Sequence, residues 1–134
     1  MADLCEKNEF IALSGDVGVG KTTFAKYFIQ FLCENDTKVQ SPTFNFVFTY
    51  QNKMNTIWHF DLYRLHNPNE VWELGIEDAI DQGTILVEWP DIIKHLFPKD
   101  RLEIELNIIN NSLNQRRITF KAFGVWQNRI TGYD

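Results

Sequence analysis

Two periodicities divide the chain. Phe10-Ile11-Ala12-Leu13-Ser14 is a short apolar run that leads into glycines, and it predicts a buried strand. From Lys21 to about Glu34, Phe24, Tyr27, Phe28, Phe31 and Leu32 recur at helical spacing, one face of an amphipathic helix that stops near Asn35-Asp36. Ser41-Pro42 breaks this pattern, because proline drives the residue before it toward extended backbone. Phe44 to Tyr50 and Thr56 to Asp61 predict two strands, joined as a hairpin by the polar Gln51-Asn52-Lys53-Met54-Asn55. Asn69 to Ile80 predicts one or two short helices interrupted at Gly75. After Gly83, Thr84-Ile85-Leu86-Val87-Glu88 is the near-continuous apolar run of a central strand buried on both faces. Pro90 to Leu96 predicts a short helix. Arg101 to Ile109 and Arg116 to Phe123 alternate apolar and polar residues, with Asn110-Asn111-Ser112 as the turn between them. Strand–helix order early and hairpins late predict an α/β fold with a mixed sheet, parallel at its centre.

The chemistry concentrates where the first strand meets the first helix. Gly15-Asp16-Val17-Gly18-Val19-Gly20-Lys21-Thr22 is a complete G-x-x-x-x-G-K-[ST] phosphate loop, placed after a strand and at the first turn of a helix. Glycines let backbone N–H groups turn inward around phosphates. The helix N-terminus adds a partial positive charge facing the anion. In that template Lys21 bridges the β- and γ-phosphates and the Thr22 hydroxyl ligates Mg2+. Such a site also needs a carboxylate at a neighbouring strand end. Glu88 is the better candidate because its strand is the more buried run, and Asp61 is the second. Thr43 stands where a switch threonine would meet Mg2+ and the γ-phosphate; an ordinary turn threonine fits the same position.

Composition narrows the class. The 134 residues predict one domain over 1–134, large enough for a core without disulfides. Hydrophobic residues at 44% exclude a disordered chain, and no apolar run is long enough to cross a bilayer. The net charge of −5 argues against a protein that grips bare nucleic acid by itself. Cys5 and Cys33 form no metal or disulfide pattern, and His59, His66 and His95 are scattered, so a zinc site is not expected. The opening residues carry no secretory pattern, which leads to a cytoplasmic expectation.

Four blocks together resemble the TsaE family (also YjeE), the small P-loop ATPases of bacterial tRNA threonylcarbamoyladenosine synthesis. They are Gly15 to Thr23, Ser41-Pro42-Thr43-Phe44, His59-Phe60-Asp61-Leu62-Tyr63-Arg64-Leu65 and Leu86-Val87-Glu88-Trp89-Pro90, over roughly residues 9–105. That family carries about one more helix and turn before the first strand, so Leu4 to Asn8 is either its remnant or a truncated start. The resemblance implies a P-loop NTPase-like three-layer fold with antiparallel hairpin strands beside the parallel centre. It implies that Lys21, Thr22 and Thr23 serve ATP and Mg2+, that Thr43 acts as a switch-like threonine, and that Asp61 and Glu88 serve the metal and the attacking water. Trp89 is similar to a family tryptophan close to the nucleotide; packing at a strand end is the competing role. The implied partners are TsaB and TsaD, with tRNA reached only through that assembly, which ATP hydrolysis resets.

Rival classes are a GTPase, a small P-loop kinase and a nucleotide-gated interaction module with negligible turnover. Asn52-Lys53-Met54-Asn55 approaches a guanine-reading motif but lacks its Asp and falls in the predicted hairpin turn. A kinase needs an acceptor pocket and usually an arginine-bearing lid over the phosphates; no insertion here is long enough for one, although Arg64, Arg116 and Arg117 are charge-stabilising side chains in principle.

Overall fold

The computed structural model describes residues 5, 8–33, 37–109 and 115–131. Six strands form one sheet: β1 (Phe10–Ser14), β2 (Val47–Gln51), β3 (Thr56–Asp61), β4 (Gly83–Glu88), β5 (Arg101–Ile108) and β6 (Arg116–Phe123). Their spatial order is β2-β3-β4-β1-β5-β6. The four central strands run parallel, and β2 and β6 close the edges as antiparallel hairpin arms. The expected mixed sheet with a parallel centre is therefore the observed one. β3 has two roles, pairing antiparallel with β2 and parallel with β4.

Side chains alternate across the pleat and feed two cores. Ile11, Leu13, Ile57, Leu86, Leu102 and Ile104 pack with Ala25, Phe28 and Ile29 of helix α1 (Lys21–Cys33). Phe10, Ala12, Phe60, Ile85 and Val87 face the other way, toward Val71, Ile76, Ala79 and Ile93. That second layer comprises a 3-10 segment (Pro68–Leu74), α2 (Ile76–Gln82) and a 3-10 segment (Pro90–Leu96). Asn67 and Glu70 form a capping box at the first of these, and Gly75, at φ 89°, separates it from α2. Both Gly75 and Gly83 lie against the Trp58 ring, where a Cβ would come within 2.9 and 2.5 Å of it. β4 is buried along its whole length, as its apolar run predicts.

Four expectations need correction or completion. The apolar face expected of α1 is displaced: Ala25, Phe28 and Ile29 are buried, whereas Tyr27 and Phe31 of the expected face are exposed. The strand predicted from Phe44 begins at Val47, because Phe46 N–H closes a turn onto the Pro42 carbonyl at 2.6 Å and Phe46 takes φ 67°. The strand predicted to end at Ile109 ends at Ile108. A short helix α3 (Trp126–Ile130), absent from the sequence reading, plugs Trp126 into the α1-side core at 0% exposure. The expected helix stop at Asn35-Asp36, the turn at Asn110-Asn111-Ser112 and most of the Leu4–Asn8 segment lie outside the described residues. Asn52-Lys53-Met54-Asn55 is indeed hairpin-turn chain, with Asn52 Oδ1 accepting from Met54 and Asn55 N–H at 2.8 Å each. Among the described residues, no helix is long and apolar enough to cross a membrane.

Candidate functional site

Parallel strands deliver their carboxyl ends to one edge of the sheet, and the cleft opens there. β1 ends at Ser14, and the chain passes through residues 15–20 into α1. Gly15, Gly18 and Gly20 adopt φ 140°, 79° and 106°, values that side-chain-bearing residues seldom take. Their reasons differ. A Cβ on Gly15 would lie 2.4 Å from the Leu106 carbonyl oxygen, so this glycine lets the loop lie against β5. A Cβ on Gly18 or Gly20 would meet nothing within 4 Å; these two answer to backbone conformation and face open space. Val19 N–H closes the loop onto the Asp16 carbonyl at 3.2 Å, and Arg116 Nε donates to the Val19 carbonyl at 2.9 Å, tying β6 to it.

Lys21 is buried at the first turn of α1. Its Nζ donates to the Gly15 and Asp16 carbonyls at 2.6 and 2.8 Å and lies 4.0 Å from the centre of the Trp89 ring. Burial lowers the pKa of the ammonium below its ordinary 10.5, against the opposing pull of Glu88, Asp61 and Asp16. Trp89 itself turns the chain out of β4 at φ 57°, ψ 56°, an uncommon conformation for a bulky residue. The Tyr63 ring packs on it at 4.6 Å.

Asp61 and Glu88 are register partners at the ends of β3 and β4. Side chains of register partners share a face, so two nearly buried carboxylates stand side by side below the glycine loop. Each holds a threonine. Thr22 Oγ1 donates to Glu88 Oε1 at 2.9 Å, and Thr43 Oγ1 donates to Asp61 Oδ2 at 3.1 Å. Tyr63 N–H satisfies Asp61 Oδ1 at 3.0 Å, and Ser41 Oγ lies 2.9 Å from Thr43 Oγ1. The second oxygen of Glu88 meets His59 Nε2 at 2.6 Å.

These groups line a cleft of about 450 Å³, a size suited to a small-molecule ligand. Of the sequence candidates, Val17, Gly18, Gly20, Lys21, Thr22, Thr23, Thr43, Asp61, Glu88 and Trp89 line it; Gly15, Asp16 and Val19 shape the loop behind it. Tyr63 lines it too and was not foreseen, although it lies inside the His59–Leu65 block. Arg64 is not among the lining residues; its guanidinium sits 5.1 Å from the Phe44 ring centre. His59 was set aside because the three histidines are scattered in sequence. The one signal for it was its place two residues before Asp61, which puts both on one face of the same strand.

The hydroxyl of Thr22 and the two carboxylates are hard oxygen donors. Mg2+ is usually held this way, by one or two carboxylates with substrate phosphates and water completing the shell. Among the described residues no cluster of His, Cys, Asp and Glu offers a self-sufficient protein cage. The donor set therefore fits a cation that arrives with a phosphate ligand.

Comparison with known proteins agrees with this architecture. The family profile described as "Threonylcarbamoyl adenosine biosynthesis protein TsaE" matches residues 1–118. A Rickettsia bellii protein named "tRNA threonylcarbamoyladenosine biosynthesis protein TsaE" is 43% identical over 112 residues, covering 84% of this chain and 78% of that protein. A Rickettsia conorii protein of the same name is 42% identical over 84% of this chain, which spans only 64% of that relative. The Bacillus subtilis protein of that name is 35% identical over 92% of this chain and 75% of its own. The crystal structure of Bacillus subtilis YdiB superposes with a TM-score of 0.73 at 28% identity, over 98% of this chain and 80% of that one. With the profile matched along most of its length and these relatives alongside, the chain belongs to the TsaE family.

Proposed function

We propose that this chain is a Mg2+-dependent ATPase that supports threonylcarbamoyladenosine modification of tRNA at the adenosine next to the anticodon, in the cytoplasm, by resetting a TsaB–TsaD assembly. The observation that carries this reading is one arrangement of side chains: Thr22, at the start of the helix that follows the glycine loop, is hydrogen-bonded to Glu88, whose register partner Asp61 holds Thr43. This arrangement joins a phosphate-binding loop to a pair of carboxylates in one cleft. The names of the relatives supply the tRNA context.

The loop N–H groups and the α1 N-terminus receive the triphosphate. Lys21 leaves the Gly15 and Asp16 carbonyls to bridge the β- and γ-phosphates, exchanging two neutral acceptors for charged ones. Thr22, Asp61 and Glu88 would hold Mg2+ or its waters, and the bound cation supplies neutralisation of the phosphate charge. Glu88 and Thr43 orient the water that attacks the γ-phosphorus; as the bond to the ADP oxygen breaks, the water's proton passes to Glu88 and from there to the released phosphate. Trp89 and Tyr63 form an apolar wall beside the reacting groups.

Replacement of Lys21 tests the core of this reading. Lys21→Ala removes the loop's side-chain cation, so Mg-ATP affinity or phosphate release falls at least about tenfold, or about 1.4 kcal/mol. Calorimetric binding and steady-state phosphate release both unchanged in this variant would overturn it. Release to water, with no transfer to an added small acceptor, separates the ATPase from a kinase.

A further inference from the structure

We infer that His59 is a positioning residue, holding Glu88 in the orientation that faces Thr22 and the cleft; this rests on the ATPase reading above. His59 is 0% exposed in the middle of β3, beneath α1, and contacts no solvent. Its register partner is Leu86, so it stands one pleat behind the Asp61–Glu88 pair on the same face. From there Nε2 reaches Glu88 Oε2 at 2.6 Å, while Oε1 of the same carboxylate accepts the Thr22 hydroxyl at 2.9 Å. Glu88 is thus held at both oxygens, from the loop side and from the core side.

The ring's other nitrogen sharpens the assignment. Nδ1 is buried and has no hydrogen-bond partner among the described residues. A bare lone pair there costs less than a buried N–H without an acceptor. The tautomer with the smaller penalty carries its proton on Nε2 and donates it to the carboxylate, leaving Nδ1 as an unpaired acceptor. A charge-assisted bond of this length is short and directional. Burying Glu88 at 1% exposure calls for donors on both of its oxygens, since an ionised carboxylate without them is expensive to desolvate. His59 spends its proton on a residue that lines the cleft. The same logic governs residues that orient metal-site ligands from behind, whose loss costs about 10–100-fold in affinity or activity.

The test compares variants that differ in the donor. His59→Leu keeps bulk and removes the N–H; His59→Gln returns an N–H to the position of Nε2. His59→Leu is expected to lower kcat for ATP hydrolysis by about 10–100-fold with little change in the calorimetric Mg-ATP Kd, and His59→Gln to recover most of the loss. If His59→Leu does not fold, His59→Asn, too short to reach Glu88, takes its place with the same expected loss. Independently of turnover, long-range proton–nitrogen NMR of the nucleotide-free protein is expected to find the His59 proton on Nε2. A proton on Nδ1, or unaltered kcat in the donor-less variant while Lys21→Ala loses hydrolysis, overturns the proposal. Normal hydrolysis by Lys21→Ala would instead sink the assignment of hydrolysis to this cleft, and the tautomer would still decide the His59–Glu88 contact.

Discussion

The two carboxylates divide their work by what donates to them. Glu88 holds Thr22, and Asp61 holds Thr43 and the Tyr63 N–H. Glu88 is also the foremost charge acting on buried Lys21, favouring its protonated form, followed by Asp61. Glu88→Gln preserves shape and one acceptor oxygen while removing a negative charge from the cleft proposed above to receive a triphosphate. Nucleotide affinity is therefore expected to hold or rise. Hydrolysis is expected to fall about 10²-fold or more, the low end of what a positioned proton acceptor contributes. In Asp61→Asn the amide N–H₂ cannot face the Tyr63 N–H, so it turns to Thr43, whose hydroxyl must reverse from donor to acceptor; that reversal and the lost charge lower turnover too. Steady-state phosphate release with a parallel thermal melt checks both, and normal turnover in either folded variant removes that residue from the chemistry. His59 belongs to the same scale, and the sequence hides its contact with Glu88 for a physical reason. Its link to Glu88 spans 29 residues and exists only because β3 and β4 pair in parallel at one register.

Among the elements, α3 makes the sharpest prediction. Five residues are too few for helical periodicity to register, yet α3 inserts Trp126 fully into the core with Leu102 and Ile104. Trp126→Ala is expected to cost about 3–5 kcal/mol in denaturant unfolding, because the site collapses only partly around the void. Nucleotide affinity of the folded fraction should not move, since α3 follows the end of β6 that pairs with the start of β5, opposite the glycine loop. A loss below about 1 kcal/mol, typical of surface substitutions, would overturn the packing role. The contrast with β1, α1 and β4 explains what the sequence discloses. A strand buried on both faces and a thirteen-residue helix repeat their signal along their length. The start of β2 does not: Phe46 at φ 67° is fixed by a turn onto Pro42, and residue type alone gives no hint of it. The geometry of the glycine loop is legible because its constraints are local, glycines at three positive-φ positions between one strand and one helix. The Asp61–Glu88 pair was legible only as two strand ends; their adjacency is a property of the sheet.

At the scale of the whole molecule, the cleft is built but not enclosed. Val17, Phe44 and Tyr63 stand 68%, 81% and 56% exposed on or next to residues that line it, an apolar rim of the kind that marks a contact surface. Two of the arginines weighed for the site have other engagements: Arg116 Nε is held on the Val19 carbonyl, and Arg64 lies over the Phe44 ring. On the function proposed above, a partner that covers the rim would supply water exclusion and much of the transition-state charge. An arginine supplied in trans contributes about 10³–10⁵ in rate in P-loop GTPases, which sets the scale available to such a partner. The chain's net charge of −5 opposes a polyanion, so tRNA alone is a poor candidate for this task. The isolated protein is therefore expected to hydrolyse ATP slowly, to be stimulated at least about tenfold by the TsaB–TsaD assembly, and to respond little to tRNA by itself. Phosphate release measured across these additions checks all three expectations. Replacing exposed Phe44 with Ser should reduce the stimulated rate while leaving the basal rate in place, because Phe44 does not line the cleft. Fast hydrolysis by the isolated chain, indifferent to the partners and to Phe44, would mean that the cleft completes itself.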